Sequence, residues 1–135
     1  MPDQYPVLPL LLLVLLALSA GGCMGTGWTD LSVEEAHALI QERAGDPEFV
    51  LLDVRTPEEF AAEHIEGAVN LDWYDPAFRD EVRAFERGAT YLVYCRTGVR
   101  SAEAAAMMVE EGFDEVYNME EGITAWKAAG YQVVT

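Results

Sequence analysis

The chain has 135 residues, enough for one domain, and 51% of them are hydrophobic, enough for a core. Its 24 acidic side chains outnumber its 8 lysines and arginines, so the formal net charge is −16. A surface this acidic repels phosphates, and we therefore exclude nucleic acid and anionic membrane surfaces as partners of the folded part.

Residues 1–22 have the pattern of a signal peptide. Residues 7–18 are almost wholly apolar, a run shorter than the roughly 20 residues of a typical membrane-spanning helix, and small residues separate it from Cys23. The pattern resembles the signal peptide and lipobox of prokaryotic lipoproteins, which implies acylation of Cys23 and anchoring on the extracytoplasmic side of the membrane. An uncleaved N-terminal anchor and simple secretion are the alternatives, and both also place the domain outside the cytoplasm.

This resemblance divides the chain into a signal peptide over residues 1–22, a lipidated tether over residues 23–27 and a domain over residues 28–135. The sequence contains two cysteines. With Cys23 acylated, Cys95 would have no intramolecular partner for a disulfide, even in an oxidising compartment. We therefore expect Cys95 to be a free thiol and the N-terminal lipid to be the contact with the membrane.

Strand and helix patterns alternate through the domain. Apolar and β-branched runs predict strands at residues 28–31, 49–53, 68–71, 90–94 and 115–119. Ser32 with Glu35 and Thr56 with Glu59 form two predicted capping boxes, which start helices that run to about residue 44 and to about residue 63. Three more helices are predicted, from residue 75 to about residue 87, from residue 101 to the stop at residue 112, and over residues 123–129. Repeated strand-then-helix units predict an α/β fold with a mainly parallel five-stranded sheet and helices on both faces.

Cys95 lies on the short turn between the fourth predicted strand and the fourth helix. In a parallel sheet such a turn lies at the edge where ligands bind, and the amides that open the next helix point into the crevice. The helix N-terminus, Arg96 and Arg100 should lower the pKa of the thiol, and Gly98 allows successive amides to converge on one anion. These residues favour a reactive thiolate over the alternative of a buried structural cysteine.

Asp53 ends the second predicted strand, so it should open onto the same edge of the sheet as Cys95. One hypothesis is that Asp53 orients an arginine of the cysteine loop and that Arg55 steers an anionic substrate. The alternative is structural: Asp53 caps local backbone amides, and Arg55 pairs on the surface with Glu58 or Glu59.

The two histidines offer no metal pattern, because neither accompanies a cysteine pair. His37 is predicted to be a solvated residue in the middle of a helix. His64 could be a general base, but a preformed thiolate needs none, and we interpret it as a structural residue bonded to backbone near the second and third strands.

Four segments of the domain resemble single-domain rhodaneses, sulfurtransferases that carry sulfane sulfur as a cysteine persulfide. They are residues 95–101 (CRTGVRS), 52–60 (LDVRTPEEF), 64–70 (HIEGAVN) and 121–131 (EGITAWKAAGY). The resemblance implies the three-layer rhodanese fold, with Cys95 as the nucleophile. The loop residues Arg96, Thr97, Gly98, Val99 and Arg100 would form the anion cradle, with backbone amides along the loop stabilising both thiolate and persulfide.

The expected function is a two-step transfer without metal or organic cofactor. The Cys95 thiolate would attack the outer sulfur of thiosulfate or a similar small anion, and a thiol or cyanide acceptor would then remove that sulfur. A protein partner cannot be named from the sequence.

Two other functions compete with this one. A cysteine-dependent phosphatase or arsenate reductase would need five residues between cysteine and arginine, whereas Cys95 and Arg100 enclose four. A membrane-tethered module that carries or senses persulfide, or docks a partner, without turnover is the other alternative.

Overall fold

A computed structural model describes residues 27–135 of the chain. The predicted signal peptide, the acylation site Cys23 and most of the tether lie outside the described residues. Within residues 27–135, no helix is both long enough and apolar enough to cross a bilayer.

Five strands and five helices alternate along residues 27–135, as predicted. The strands are β1 (Thr29–Leu31), β2 (Phe49–Asp53), β3 (Val69–Asn70), β4 (Thr90–Tyr94) and β5 (Glu115–Met119). The helices are α1 (Val33–Glu42), α2 (Pro57–Ala62), α3 (Phe78–Arg83), α4 (Val99–Glu110) and α5 (Gly122–Ala128). The strands form one sheet in the order β1-β5-β4-β2-β3, and every neighbouring pair is parallel. The predicted α/β architecture is confirmed, and β4, which precedes Cys95, lies at its centre.

Both predicted capping boxes are present. The Ser32 hydroxyl accepts from the amide of Glu35, and the Thr56 hydroxyl accepts from the amide of Glu59. In each case the glutamate side chain accepts a hydrogen bond from the backbone amide of the cap residue. Backbone N–H groups that have no partner within the helix are thereby hydrogen-bonded.

Two helices differ in extent from the prediction. Helix α3 covers only Phe78–Arg83, because Asp75 closes a turn before it and the Phe85 amide ends it by donating to Val82. Helix α4 starts at Val99, two residues earlier than predicted, because Gly98 takes a left-handed φ of 98° at its N-cap. Arg100 and Ser101 therefore belong to the first turn of α4.

The alternation of β4 side chains divides the core between the two faces of the sheet. Tyr91, Val93 and Cys95 pack with residues of α3 and α4, whereas Leu92 and Tyr94 pack with residues of α1 and α5. The predicted helices on both faces are therefore present. His37 is half-buried rather than solvated, and its ring stacks on Tyr131 at 4.2 Å between centroids.

Candidate active site

Cys95 directly follows the central strand and is buried, with 1% of its surface exposed. Its sulfur accepts a hydrogen bond from the Gly98 amide at 3.1 Å and another from the Ser101 hydroxyl at 3.3 Å. Cys95 is a free cysteine in the described part of the chain. The sulfur therefore lies inside a ring of donors from the loop and the first turn of α4.

Hydrogen bonds determine the direction in which the pKa of the Cys95 thiol moves. Burial alone would raise this pKa, but the Ser101 hydroxyl and the amides of Ser101, Thr97 and Gly98 stabilise the thiolate and lower the pKa below its ordinary value. The sequence predicted this direction from the helix N-terminus and from the charges on Arg96 and Arg100. In the structure, neutral donors are the main cause.

The first turn of α5 binds the cysteine loop through backbone hydrogen bonds on the side away from the sulfur. The amide of Ile123 donates to the carbonyl oxygen of Cys95 at 3.0 Å, and the amide of Thr124 donates to that of Arg96 at 3.2 Å. Because a trans peptide points its N–H away from its C=O, fixing the Arg96 carbonyl turns the Thr97 amide away from α5.

Two glycines make this close approach possible. A Cβ on Gly98 would lie 1.8 Å from the carbonyl oxygen of Glu120, and a Cβ on Gly122 would lie 2.4 Å from that of Arg96. Both glycines also have positive φ angles, which other residues rarely adopt. Backbone therefore packs directly on backbone on the side of the loop away from the sulfur.

Arg100 is paired with a carboxylate rather than left free. Its guanidinium donates to both oxygens of Glu59, at 2.7 and 3.0 Å, and it lies over the ring of Tyr74. Arg100 hydrogen bonding, aided by Thr56, lowers the pKa of Glu59 to about 2 against the cost of its partial burial. The charge of Arg100 is therefore largely compensated before any substrate arrives.

The other loop residues differ in exposure. Arg96, Thr97 and Val99 are exposed, whereas Gly98 is buried. Arg96 forms no ion pair with any residue of the described range. Of the two predicted loop arginines, Arg96 is therefore the one with an uncompensated charge.

Asp53 and Arg55 form a buried pair with each other. The guanidinium of Arg55 binds both oxygens of Asp53 and donates to the carbonyl of Glu63 at 2.7 Å, and the Arg55 amide also donates to Asp53. Asp53 thus caps a local amide, as the structural alternative proposed, but the arginine that it orients is Arg55 and not a loop residue. Arg55, only 4% exposed, does not pair with Glu58 or Glu59 on the surface.

His64 has structural contacts with backbone, as expected, but the backbone belongs to α2 and to the C-terminal segment. Its Nδ1 lies 2.8 Å from the carbonyl of Phe60 in α2, its ring stacks on Phe60, and its backbone bridges to Val134. It fastens the C-terminal segment to the end of α2 rather than bonding to the second and third strands.

Of a larger and a smaller cleft on the surface of residues 27–135, the smaller one borders the cysteine loop. It has a volume of about 450 Å³ and is lined by residues that include Arg55, Glu59, Glu63, Arg96 and Lys127. The larger cleft, about 570 Å³, lies between α1 and the C-terminal segment and contains none of the predicted site residues. No cluster of metal-ligating side chains occurs between residues 27 and 135.

Sequence reasoning missed three contributions to the site. Ser101 was assigned to a helix and to the CRTGVRS segment without a role at the sulfur. Glu59 was considered as a partner of Arg55 and not of Arg100. The helix predicted over residues 123–129 was given no contact with the cysteine loop. One sequence signal could have identified Ser101: it falls at the start of the helix that follows the cysteine loop, and a hydroxyl in a first helical turn can reach back to that loop. The contacts of Glu59 and α5 join segments far apart in sequence.

Comparisons with known proteins identify the family of this chain. A model of the rhodanese-like domain matches residues 32–129. The thiosulfate sulfurtransferase GlpE of Pseudomonas entomophila is 39% identical over 98 residues, which cover 73% of this chain and 84% of that protein. A sulfurtransferase of Allochromatium vinosum is 31% identical over 74% of this chain and 92% of that protein.

A solved structure gives the same result for the fold. The crystal structure of a rhodanese-related protein from Thermoplasma volcanium superimposes with a TM-score of 0.67 at 28% identity, over 79% of this chain and 98% of that one. Family model, relatives and fold agree, and the chain therefore belongs to the rhodanese-like domain family as a sulfurtransferase of the rhodanese type.

Proposed function

We propose that this sulfurtransferase moves one sulfane sulfur from thiosulfate or a similar small anion to a thiol or cyanide acceptor, through a persulfide on Cys95. The observation that carries the proposal is the ring of donors around the Cys95 sulfur, from the Gly98 amide and the Ser101 hydroxyl. The relative from Pseudomonas entomophila, named as a thiosulfate sulfurtransferase, supports thiosulfate as the donor.

The first step is an exchange at sulfur. The Cys95 thiolate attacks the outer sulfur of thiosulfate, a new sulfur–sulfur bond forms, and the old one breaks with its electron pair leaving on sulfite. The donors around the sulfur lower the pKa of the Cys95 thiol and so increase the fraction of thiolate, which is the attacking form.

The second step restores the enzyme. Cyanide or a thiolate attacks the terminal sulfur of the persulfide, and the electron pair of the broken bond returns to Cys95 as thiolate. The amides of Thr97, Gly98 and Ser101 are the groups that would stabilise the anion in both states. The transfer balances without an oxidant, a metal or an organic cofactor.

Supporting roles belong to the charged residues around the loop. Arg96 is exposed beside the cleft and would meet the incoming anion. The buried pair of Asp53 and Arg55 would hold the wall of the same cleft in place. Arg100, bound by Glu59, would fix the first turn of α4 and with it the Ser101 donors.

The pairing of Arg100 also speaks against a phosphatase. A phosphate site would need this guanidinium to bind the phosphoryl oxygens, but both of its outer nitrogens are engaged by Glu59. The donors of the loop converge on one sulfur atom, which suits persulfide better than a tetrahedral group.

Mass spectrometry of the intact protein tests the proposed function. Incubation with thiosulfate should add the mass of one sulfur atom to wild type and nothing to Cys95→Ala, and cyanide should then remove it as thiocyanate. Loading without turnover would favour the carrier or sensor. No loading would contradict the proposal.

We also propose that the mature chain is a lipoprotein tethered through Cys23 to the extracytoplasmic side of a membrane. The support is the apolar run at residues 7–18 followed by small residues and cysteine. Expression in a bacterial host with a labelled fatty acid should label wild type and not Cys23→Ser. Secretion of unlabelled wild type would contradict the tether.

A further inference from the structure

The pair of Glu59 and Arg100 decides how much positive charge the loop offers to a substrate. Glu59 lies in α2 and Arg100 in the first turn of α4, and two hydrogen bonds, at 2.7 and 3.0 Å, join them. Both partners are partly shielded, with 15% of the Arg100 side chain and 30% of the Glu59 side chain exposed. The backbone amide and hydroxyl of Thr56 hold the same carboxylate in place.

Two other cations near the loop are compensated in the same way. Arg55 is paired with Asp53, and Lys127 is paired with Glu63. Glu120 and Glu121 are exposed where β5 leads into α5, next to the loop. Within the described residues, Arg96 is the one cation of this cleft that forms no ion pair.

A doubly charged sulfur donor gains little electrostatic attraction from this cleft. The second negative charge of such a donor meets no second unpaired cation. The carboxylates that pair with Arg100, Arg55 and Lys127 also repel it. A donor with a single negative charge can be met by Arg96 alone.

We infer that Glu59 is a specificity-determining residue. Because it pairs with the Arg100 guanidinium, it lowers the preference of the site for dianionic donors. The donor class that fits best is therefore a singly charged sulfane-sulfur compound. This inference rests on the proposed function, because it concerns the donor of the same persulfide transfer. The inference goes beyond the proposed function because it states that thiosulfate fits the site less well electrostatically than a monoanion of the same shape.

Two donors separate charge from shape. Thiosulfate and methanethiosulfonate both present a terminal sulfur on a tetrahedral sulfonyl group, but thiosulfate carries two negative charges and methanethiosulfonate one. With each, the Cys95 thiolate takes the terminal sulfur, and the electron pair leaves on sulfite or on methanesulfinate. The ratio of their kcat/KM values, with cyanide as the common acceptor, measures preference for the dianion.

Three variants test the role of Glu59. Glu59→Gln removes the negative charge with little change of shape, Glu59→Asp keeps the charge, and Glu58→Gln removes an exposed charge from the preceding residue, which does not contact Arg100. We expect Glu59→Gln to raise the ratio of thiosulfate to methanethiosulfonate by about fivefold, the effect of one charge acting on one extra charge across a partly screened distance. We expect Glu59→Asp and Glu58→Gln to stay within about twofold of wild type.

The ratio does not depend on how much of a preparation is folded, because both donors are measured on the same sample. An unchanged or lower ratio in Glu59→Gln, or an equal rise in Glu58→Gln, would overturn the inference. If Glu59→Gln yields no folded enzyme, Glu63→Gln frees Lys127 in the same cleft and should raise the ratio in the same direction. Failure of wild type to form a persulfide with either donor would instead contradict the proposed function.

Discussion

The amide of Ile123 donates to the carbonyl oxygen of Cys95 across 3.0 Å, so the first turn of α5 fixes the peptide plane that follows the cysteine. The next carbonyl, that of Arg96, is fixed by Thr124. With these carbonyls directed at α5, the amides of Thr97, Gly98 and Ser101 are free to serve the sulfur on the other side. The preorganised donors of this site therefore depend on a helix that contributes no side chain to the sulfur.

Substitution of Gly98 should test this backbone packing. In Gly98→Ala the new Cβ would lie 1.8 Å from the carbonyl oxygen of Glu120, so the loop must move and the amide must leave the sulfur. We expect sulfur transfer to fall by at least about a hundredfold, the scale of losing one preorganised donor to an anion. Steady-state kinetics with thiosulfate and cyanide measures the change.

Gly112→Ala is the matched control for Gly98→Ala. Gly112 also has a positive φ, 89°, but nothing lies within 4 Å of its added Cβ. It should lose stability by about 1–2 kcal/mol through backbone strain alone and retain activity. Equal activity in the two variants would show that the Gly98 contact does not position the loop.

Removal of the Ser101 hydroxyl should raise the pKa of the Cys95 thiol. The hydroxyl stabilises the thiolate at 3.3 Å, so Ser101→Ala removes a charge-assisted hydrogen bond and leaves less thiolate at neutral pH. We expect alkylation by iodoacetamide at pH 7 to slow by about tenfold and to recover as the pH rises. The pH profile of the alkylation rate measures the shift.

A distant cap separates this effect from a general loss of stability. Ser32→Ala removes the N-cap of α1 and should cost about 1 kcal/mol without moving the alkylation profile of Cys95. A profile in Ser101→Ala identical to that of wild type would contradict the role given to the hydroxyl.

The Glu59 carboxylate should contribute to the acid limb of the stability curve. Its pKa is lowered from 4.5 to about 2 in the folded protein, so its stabilisation is fully present above pH 4.5 and is lost as the pH falls from 4.5 toward 2. Urea unfolding of wild type and Glu59→Gln should therefore differ most at pH 6 and converge near pH 2. Glu58→Gln should show no such convergence, and a constant gap for Glu59→Gln would contradict the pairing.

Moderate salt should accelerate reaction with thiosulfate. The chain carries a net charge of −16, and this field repels a dianion until the Debye length falls from about 10 Å at 0.1 M salt to about 3 Å at 1 M. We expect kcat/KM for thiosulfate to rise over this range and that for methanethiosulfonate to rise less. A steep fall with salt would mean that the local positive charge of Arg96 dominates.

The sequence by itself determined the order of the elements and the position of Cys95 between a buried strand and a helix. Alternating apolar runs and two capping boxes predicted five strands and five helices, because strand periodicity and caps are local signals. The position of Cys95 before a helix, together with Arg96, Gly98 and Arg100, predicted a lowered thiol pKa. The contribution of the helix-opening amides could be predicted because it is a property of the local backbone.

Only the tertiary structure decided which groups meet. The contact of Glu59 with Arg100 spans 41 positions, and no local pattern distinguishes it from a surface carboxylate that completes a capping box. The backbone hydrogen bonds from α5 to the cysteine loop likewise require β5 to lie beside β4 in the sheet. Charge compensation and backbone orientation arise from packing between distant segments. The sequence therefore predicted a loop with two available cations, whereas in the folded chain Glu59 compensates Arg100 and leaves Arg96 without an ion pair among the described residues.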